Sequence, residues 1–258
     1  MNKYRFFLFF LVTLLFLSGL GVCLYPVFHG AFVDHTVNQN ARDFLILAGP
    51  TEPTVPVQGT ESPDTDPTIP TVHEVTEPMP YPALYEDMVT YNDSIYRNGQ
   101  SGLSSSLAYE TPSFILSEYG LTSEIFGVIS IPKLEIELPI YLGASGSHIN
   151  NGVAHMSQTS LPIGGNNTNS VIAGHRGWDG ALFFRYITEL ETGDLVIITN
   201  LWDTLTYSVS EAKIIEPYQV EQILIQPDRE LLTLLTCHPY ASGGKQRYLV
   251  ICERVPNE

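Results

Sequence analysis

Basic residues are scarce in this chain: 12 Lys and Arg face 28 Asp and Glu, a formal net charge of −16 over 258 residues. A protein that tracks phosphates needs a basic stripe, and none is present, which argues against nucleic-acid binding. Cysteine is scarcer still. Cys23, Cys237 and Cys252 are the only thiols, too few for a disulfide framework or a four-thiolate zinc site. The histidines are scattered without a recurring ligand spacing, so no metal and no cofactor is expected. No stretch repeats at a fixed period, which excludes a repeat array. What the chain does have is apolar material: 44% of its residues are hydrophobic, enough to bury a core.

Charge is missing altogether between Phe6 and Phe28. Twenty-three residues at 1.5 Å rise reach about 34 Å, enough to span a bilayer core of roughly 30 Å. Lys3 and Arg5 precede the run and Asp34 is the first charge after it. The positive-inside rule therefore puts residues 1–5 in the cytosol as a short tail and residues 29–258 outside. The run reads as an uncleaved, single-pass signal anchor over 6–28, with Cys23 facing lipid. A cleaved signal peptide is the alternative, though its hydrophobic region is usually shorter and ends in a small-x-small site.

The outward part divides further. Residues 29–49 read as a juxtamembrane helix. Residues 50–82 hold nine of the 18 prolines, seven threonines and six acids, with no Lys or Arg. Such a composition cannot offset its ordering entropy, so it reads as an extended spacer that lifts the rest of the chain off the membrane. Beyond it, Leu84, Met88, Tyr91 and Ile95 make one apolar helical stripe within 83–98, followed by a Ser/Gly-rich break at 99–106.

From about Phe126 to residue 256 the pattern becomes short strands with turn punctuation. Residues 128–132, 134–141, 169–174, 194–199, 205–215, 231–237 and 247–253 are rich in Val, Ile, Leu, Tyr and Thr and read as strands. Ala181–Leu190 is the one short helix expected among them. The fold class is mainly β: a closed or nearly closed barrel of seven to eight strands with short helices, behind a helical segment and a single transmembrane helix.

Three residues in this region suit catalysis. Cys237 closes an apolar strand, and Pro239 stops that strand, which puts the thiol at the rim of the sheet where it can meet solvent and substrate. If residues 239–244 form a hairpin centred near Ser242, Arg247 lies directly across from Cys237, with Cβ atoms about 5 Å apart. A guanidinium there can favour the thiolate and stabilise an oxyanion. The same register separates Cys252 from Cys237 by about 16 Å, too far for a disulfide. His175 follows a strand and sits between glycines in Ala173-Gly174-His175-Arg176-Gly177, uncrowded enough to move a proton. His238 neighbours Cys237 but should point to the other face. His155, in a loop-like stretch, remains open as an alternative.

Together these segments resemble the sortases, membrane-anchored cysteine transpeptidases of Gram-positive bacteria. Thr233-Leu234-Leu235-Thr236-Cys237 is similar to the family's nucleophile strand, Arg247 to its catalytic arginine and His175 to its catalytic histidine. The resemblance is nearest to class C, the pilus-assembling group. It is carried by Ile131-Pro132-Lys133, Leu138-Pro139-Ile140-Tyr141, Thr159 to Gly165, Pro239-Tyr240 and Tyr91-Asn92, and covers roughly residues 83–254. Three features depart from class C. The Asp-Pro-aromatic lid anchor is missing, and only Thr111, Pro112 and Phe114, within the 83–125 segment, stand as a possible lid. The chain stops at Glu258 without a second membrane segment. The acidic insertion at 50–82 separates two helices that would otherwise run close.

The resemblance implies that Cys237 is the nucleophile, His175 the general acid and base, and Arg247 the oxyanion stabiliser. The reaction would cleave an Leu-Pro-x-Thr-Gly-like sorting signal between Thr and Gly. It would then join the acyl group to an amine, either a pilin lysine or, alternatively, a peptidoglycan precursor in cell-wall anchoring. Partners would be sorting-signal-bearing surface proteins or pilins, the amine acceptor and the membrane. A stalked surface binding module with an inert Cys237 is the rival from another class.

Overall fold

The computed structural model describes residues 3–49, 78–104, 109–178 and 180–256. The spacer expected over 50–82 therefore lies, except for its last residues, outside the described residues. The chain opens with one helix, α1 (Lys3–Ala48), that carries Pro26 inside it. The anchor and the juxtamembrane helix are thus continuous. Its apolar part is unburied, and the helix is long and apolar enough to cross a membrane.

The second helix, α2 (Pro82–Arg97), starts with Pro82 at its first position, where the missing N–H costs nothing, and ends on Arg97, a cation suited to the helix C-terminus. Its buried face is Leu84, Met88, Asn92 and Ile95, the expected stripe with Asn92 in place of Tyr91. Asn92 is buried without loss because Nδ2 donates to Leu161 O (3.2 Å) and Oδ1 accepts from Leu161 N–H (2.7 Å). Beside it, the Tyr91 hydroxyl accepts from Gln158 N–H at 3.0 Å.

Eight strands follow: β1 (Ile125–Ile131), β2 (Ile136–Leu142), β3 (Val153–His155), β4 (Thr168–Ala173), β5 (Leu195–Asn200), β6 (Thr204–Ile215), β7 (Glu230–His238) and β8 (Gln246–Arg254). They close into a barrel in the order β1-β2-β3-β4-β7-β8-β6-β5. The pairs β2–β3 and β4–β7 are parallel and the rest antiparallel. All seven expected strands are present. The eighth, β3, is only three residues long. It ends on His155, a strand residue rather than the loop residue expected from the sequence.

The barrel is filled from within by Ile129, Ile131, Ile172, Leu232, Leu234 and Val250 among others. Several strands are also covered outside, so they read as continuous apolar runs rather than alternating ones. On β1, Phe126 packs in the cluster under α2, and Val128 packs with Ala41 and Phe44 of α1. This changes the expected role of the spacer. The second half of α1 already packs along β1 and β2, before the chain reaches residue 50, so the barrel is held directly against α1.

One further expectation is corrected. Ala181–Leu190 is a series of turns ending in a 3-10 turn at Ile187–Glu189. Phe183 takes a left-handed φ of 43°, and two backbone donors leave the segment: Phe184 N–H reaches His175 O and Leu182 N–H reaches Asp34 Oδ1. The apolar spacing there is real, since Ala181, Phe183, Phe184, Ile187 and Leu190 are all buried.

Candidate active site

Strands β4, β7 and β8 are neighbours, and their register assembles the three candidate residues at one end of the barrel. Cys237 pairs directly with Arg247, as the hairpin argument expects. In the parallel β4–β7 pair Ala173 lies beside Leu235, and Gly174 N–H continues the ladder to Leu235 O at 3.0 Å. The Thr236 hydroxyl donates to Gly174 O at 2.7 Å. His175 is thereby delivered next to Cys237.

All three line one cavity of about 760 Å³ on the outer face of the sheet. Its floor is Ala173, Gly174, Leu235 and Thr236, and Pro217, Tyr218, Val220 and Ile223 contribute to one wall. Tyr109, Ile149 and Met156 close the other side. The walls are mostly apolar and the polar groups converge at one end, the common form of a ligand site.

Arg247 is held in place by its backbone surroundings. Its Nη1 donates to Gly244 O (2.7 Å) and Gln246 O (3.1 Å). Gly244 has φ +76°, and a Cβ built on it would stand 3.1 Å from Arg247 Nη1 and 3.3 Å from Cys237 Sγ. Only a glycine fits that turn without entering the space between thiol and guanidinium.

His175 Nε2 donates to Asn150 Oδ1 at 2.9 Å, a tautomer assigned from the acceptor. Its ring stacks on Trp178 at 4.7 Å and meets Phe183 edge-on at 6.2 Å. Burial lowers its pKa below the ordinary 6.5, because a charged imidazole loses hydration there. Neither Asn150 nor Trp178 is singled out by sequence reasoning. Asn150 is presented by α3 (Gly146–Asn151), a six-residue helix too short to leave a periodic signal.

The competing histidines sit elsewhere. His155 is fully buried, its Nε2 within 3.0 Å of Ser160 O and 3.3 Å of Thr159 O. Burial pushes its pKa down to about 4, and it does not line the cavity. His238 points away from Cys237, as alternation requires. It stacks on Tyr248, its Nδ1 takes a bond from Arg176 Nη1 at 2.6 Å, and burial with the Arg176 charge lowers its pKa. The two other thiols differ from Cys237. Cys23 is exposed on α1, and Cys252 is buried inside the barrel with its pKa pushed up to about 12.

Thr111, Pro112 and Phe114 do not line the cavity. Thr111 O accepts from the Ser157 hydroxyl, and Phe114 packs between Tyr91 and Tyr119 under α2. Among the described residues of that segment, Leu103 and Tyr109 reach the cavity instead.

The family model "Sortase domain" matches residues 129–255, which contain His175, Cys237 and Arg247. Sortase D of Bacillus subtilis (strain 168) is 32% identical over 136 residues, 52% of this chain and 66% of that protein. The matched segments span between 47% and 66% of the curated relatives' lengths. Among solved structures, sortase C-1 from Streptococcus pneumoniae superposes with a TM-score of 0.61 at 31% identity, covering 70% of this chain and 93% of that one. Sortase C from Clostridium perfringens SM101 gives a TM-score of 0.56 at 30% identity, covering 68% and 89%.

Proposed function

The chain belongs to the sortase family of cysteine transpeptidases, and on that premise we propose that it cleaves an Leu-Pro-x-Thr-Gly-like sorting signal between Thr and Gly and transfers the acyl group to an amine. Cys237, as thiolate, attacks the Thr carbonyl carbon, and Arg247 stabilises the oxyanion that forms. The C–N bond then breaks. Protonated His175 gives its proton to the departing glycine amine, leaving a thioester on Cys237. An incoming amine attacks that thioester and yields its proton to His175, and the thiolate leaves as the new amide forms.

The observation that carries this reading is the convergence of Cys237, His175 and Arg247 on one rim of a single, largely apolar cavity. The apolar walls suit the Leu-Pro end of the signal. Membrane attachment through residues 6–28, with the barrel outside the cell, is supported by the length and apolar character of α1 and by Lys3 and Arg5 ahead of the apolar run. The acceptor we favour is a pilin lysine, because the similar solved structures include a pilus-related sortase C of Group B Streptococcus and sortases C1 and C2 of its Pilus Island 1.

Cell-wall anchoring is the second reading, and one observation favours it. Phe114 is packed under α2, so none of Thr111, Pro112 and Phe114 plugs the cavity as a lid anchor would. Incubation of the full chain with a sorting-signal protein and both acceptors, followed by mass spectrometry of the product, decides between them. A pilin–pilin isopeptide supports the first reading and a peptidoglycan-precursor adduct the second. Cleavage with water as the sole acceptor would reduce the enzyme to a hydrolase.

A further inference from the structure

The anchor helix touches the loop that carries His175. A Cβ built on Gly180 would stand 2.6 Å from Pro26 O and 2.9 Å from Gly30 Cα, so two glycines face each other at backbone contact. One turn further along the helix, Asp34 Oδ1 accepts from Leu182 N–H at 3.2 Å. Pro26, Gly30 and Asp34 straddle the outer end of the apolar run read as the span, whose last residue is Phe28, with Asp34 the first charge beyond it. A bilayer that takes up 6–28 therefore has its outer interface at the level of 26–34, which is also the level of the loop from Trp178 to Leu182.

The strand directions say which end of the barrel this is. β4 and β7 run toward the catalytic rim, and β1, related to β4 through β2 and β3, runs the same way. α1 meets the loop after β4 at Gly30. It meets the opposite end of the barrel, at Ile125 and Leu201, near Phe44, about 21 Å further along its axis. The helix thus lies along the barrel with the catalytic rim nearest the membrane.

The surface at that rim has the composition of a membrane interface. Trp178, Leu182, Tyr186 and Tyr240 are 50%, 38%, 43% and 50% exposed. The Arg185 guanidinium lies 4.4 Å over the Tyr240 ring and donates to its hydroxyl at 3.2 Å, which joins the β4–β5 loop to the β7–β8 turn. Arg185 and the exposed Lys245 flank these rings, while Arg176 turns inward to His238 and Thr188 and Arg247 lines the cavity. In sequence, residues 176–186 and 239–247 carry one acid in a chain that is otherwise strongly acidic. Amphipathic rings flanked by cations are what a headgroup layer accommodates.

We propose that this surface docks on the outer leaflet of the bilayer spanned by α1, so that the catalytic cavity opens at the membrane surface. The proposal rests on the reading of 6–28 as a span. It changes the working arrangement: the enzyme does not reach outward on a stalk but meets substrates still tethered to the same membrane.

The chain's two tryptophans make the test direct. Trp178 sits on the proposed surface, and Trp202 sits at the far end of the barrel, its indole N–H bonded to Pro80 O. The full chain is reconstituted into phosphatidylglycerol/phosphatidylcholine vesicles containing phospholipid brominated near the top of its acyl chains. Fluorescence quenching is compared with that of Trp178→Phe, in which only Trp202 reports. Docking predicts that the native chain loses fluorescence to the brominated lipid while Trp178→Phe loses none. Equal, unquenched emission from both, in a protein that resists carbonate extraction, would overturn docking and leave the anchor standing. Release of the protein by carbonate would overturn the anchor and docking together.

Discussion

Cys237 and Arg247 are direct cross-strand partners in β7 and β8, and Gly244 in the turn between them is what leaves the space between thiol and guanidinium open. A methyl group at 244 would press on both, and the backbone there is left-handed. Gly244→Ala is expected to lower kcat strongly while costing about 1–2 kcal/mol of stability. Steady-state kinetics beside a urea melt would check this. Equal losses in both would mean that the turn merely holds the fold.

Arg247 donates through Nη1 to two carbonyls, and its planar fork leaves further donors for an oxyanion. Arg247→Lys keeps the charge and loses the fork. Its kcat is expected to fall by roughly 10²-fold with little change in KM, the scale of losing one oxyanion donor. A change confined to KM would make the residue a substrate clamp.

The pH dependence of the reaction has a defined sign. Burial holds the pKa of His175 below 6.5, so its protonated form is the minority at neutral pH and grows as pH falls. The imidazole resonances of His175 should titrate below pH 6.5. A midpoint at or above 6.5 would mean that solvent reaches the ring despite Trp178. Asn150→Ala should lower kcat more than stability, because it frees the ring to turn away from Cys237.

His155 links pH to stability instead. Its folded pKa of about 4 lies below the ordinary 6.5, so the unfolded chain binds the extra proton. Folding stability should therefore be complete above pH 6.5 and decline as pH falls toward 4, by on the order of 3 kcal/mol for this one group. Urea midpoints across that range, compared with those of a His155 variant, measure the difference.

Asn92 ties α2 to the barrel through both the N–H and the carbonyl of Leu161. Asn92→Ala leaves the buried Leu161 N–H unpaired, while Leu161 O keeps Ile163 N–H at 2.8 Å, and should cost about 1–3 kcal/mol. A thermal or urea melt would show it. An unchanged midpoint would mean that water replaces the side chain.

Much of this molecule is legible in its sequence. The seven longer strands stand out because β-branched and aromatic runs are bounded by Gly, Asn and Pro turns. The Cys237–Arg247 pairing follows from counting residues across one hairpin. What is not legible has physical reasons. β3 is too short to alternate, and α3 too short to show a period. The helical spacing of Ala181–Leu190 records burial against the barrel, while its backbone closes successive three-residue turns and two of its donors, Phe184 and Leu182, go to His175 and Asp34. Asn150 and Trp178 reach His175 through contacts distant in sequence or bent by a glycine turn. The composition of 50–82 suggests a stalk, yet only the packing of Val37, Ala41 and Phe44 reveals that the barrel is clamped to α1 ahead of it.

The most direct measurement is the intact mass of the full chain after brief exposure to a peptide carrying an Leu-Pro-x-Thr-Gly signal, without an added amine. The account predicts a protein heavier by the acyl fragment ending in Thr, attached at Cys237, absent in Cys237→Ala and discharged when an amine is supplied. An unmodified Cys237 in a chain that still cleaves the peptide, or an adduct that persists in Cys237→Ala, would contradict it.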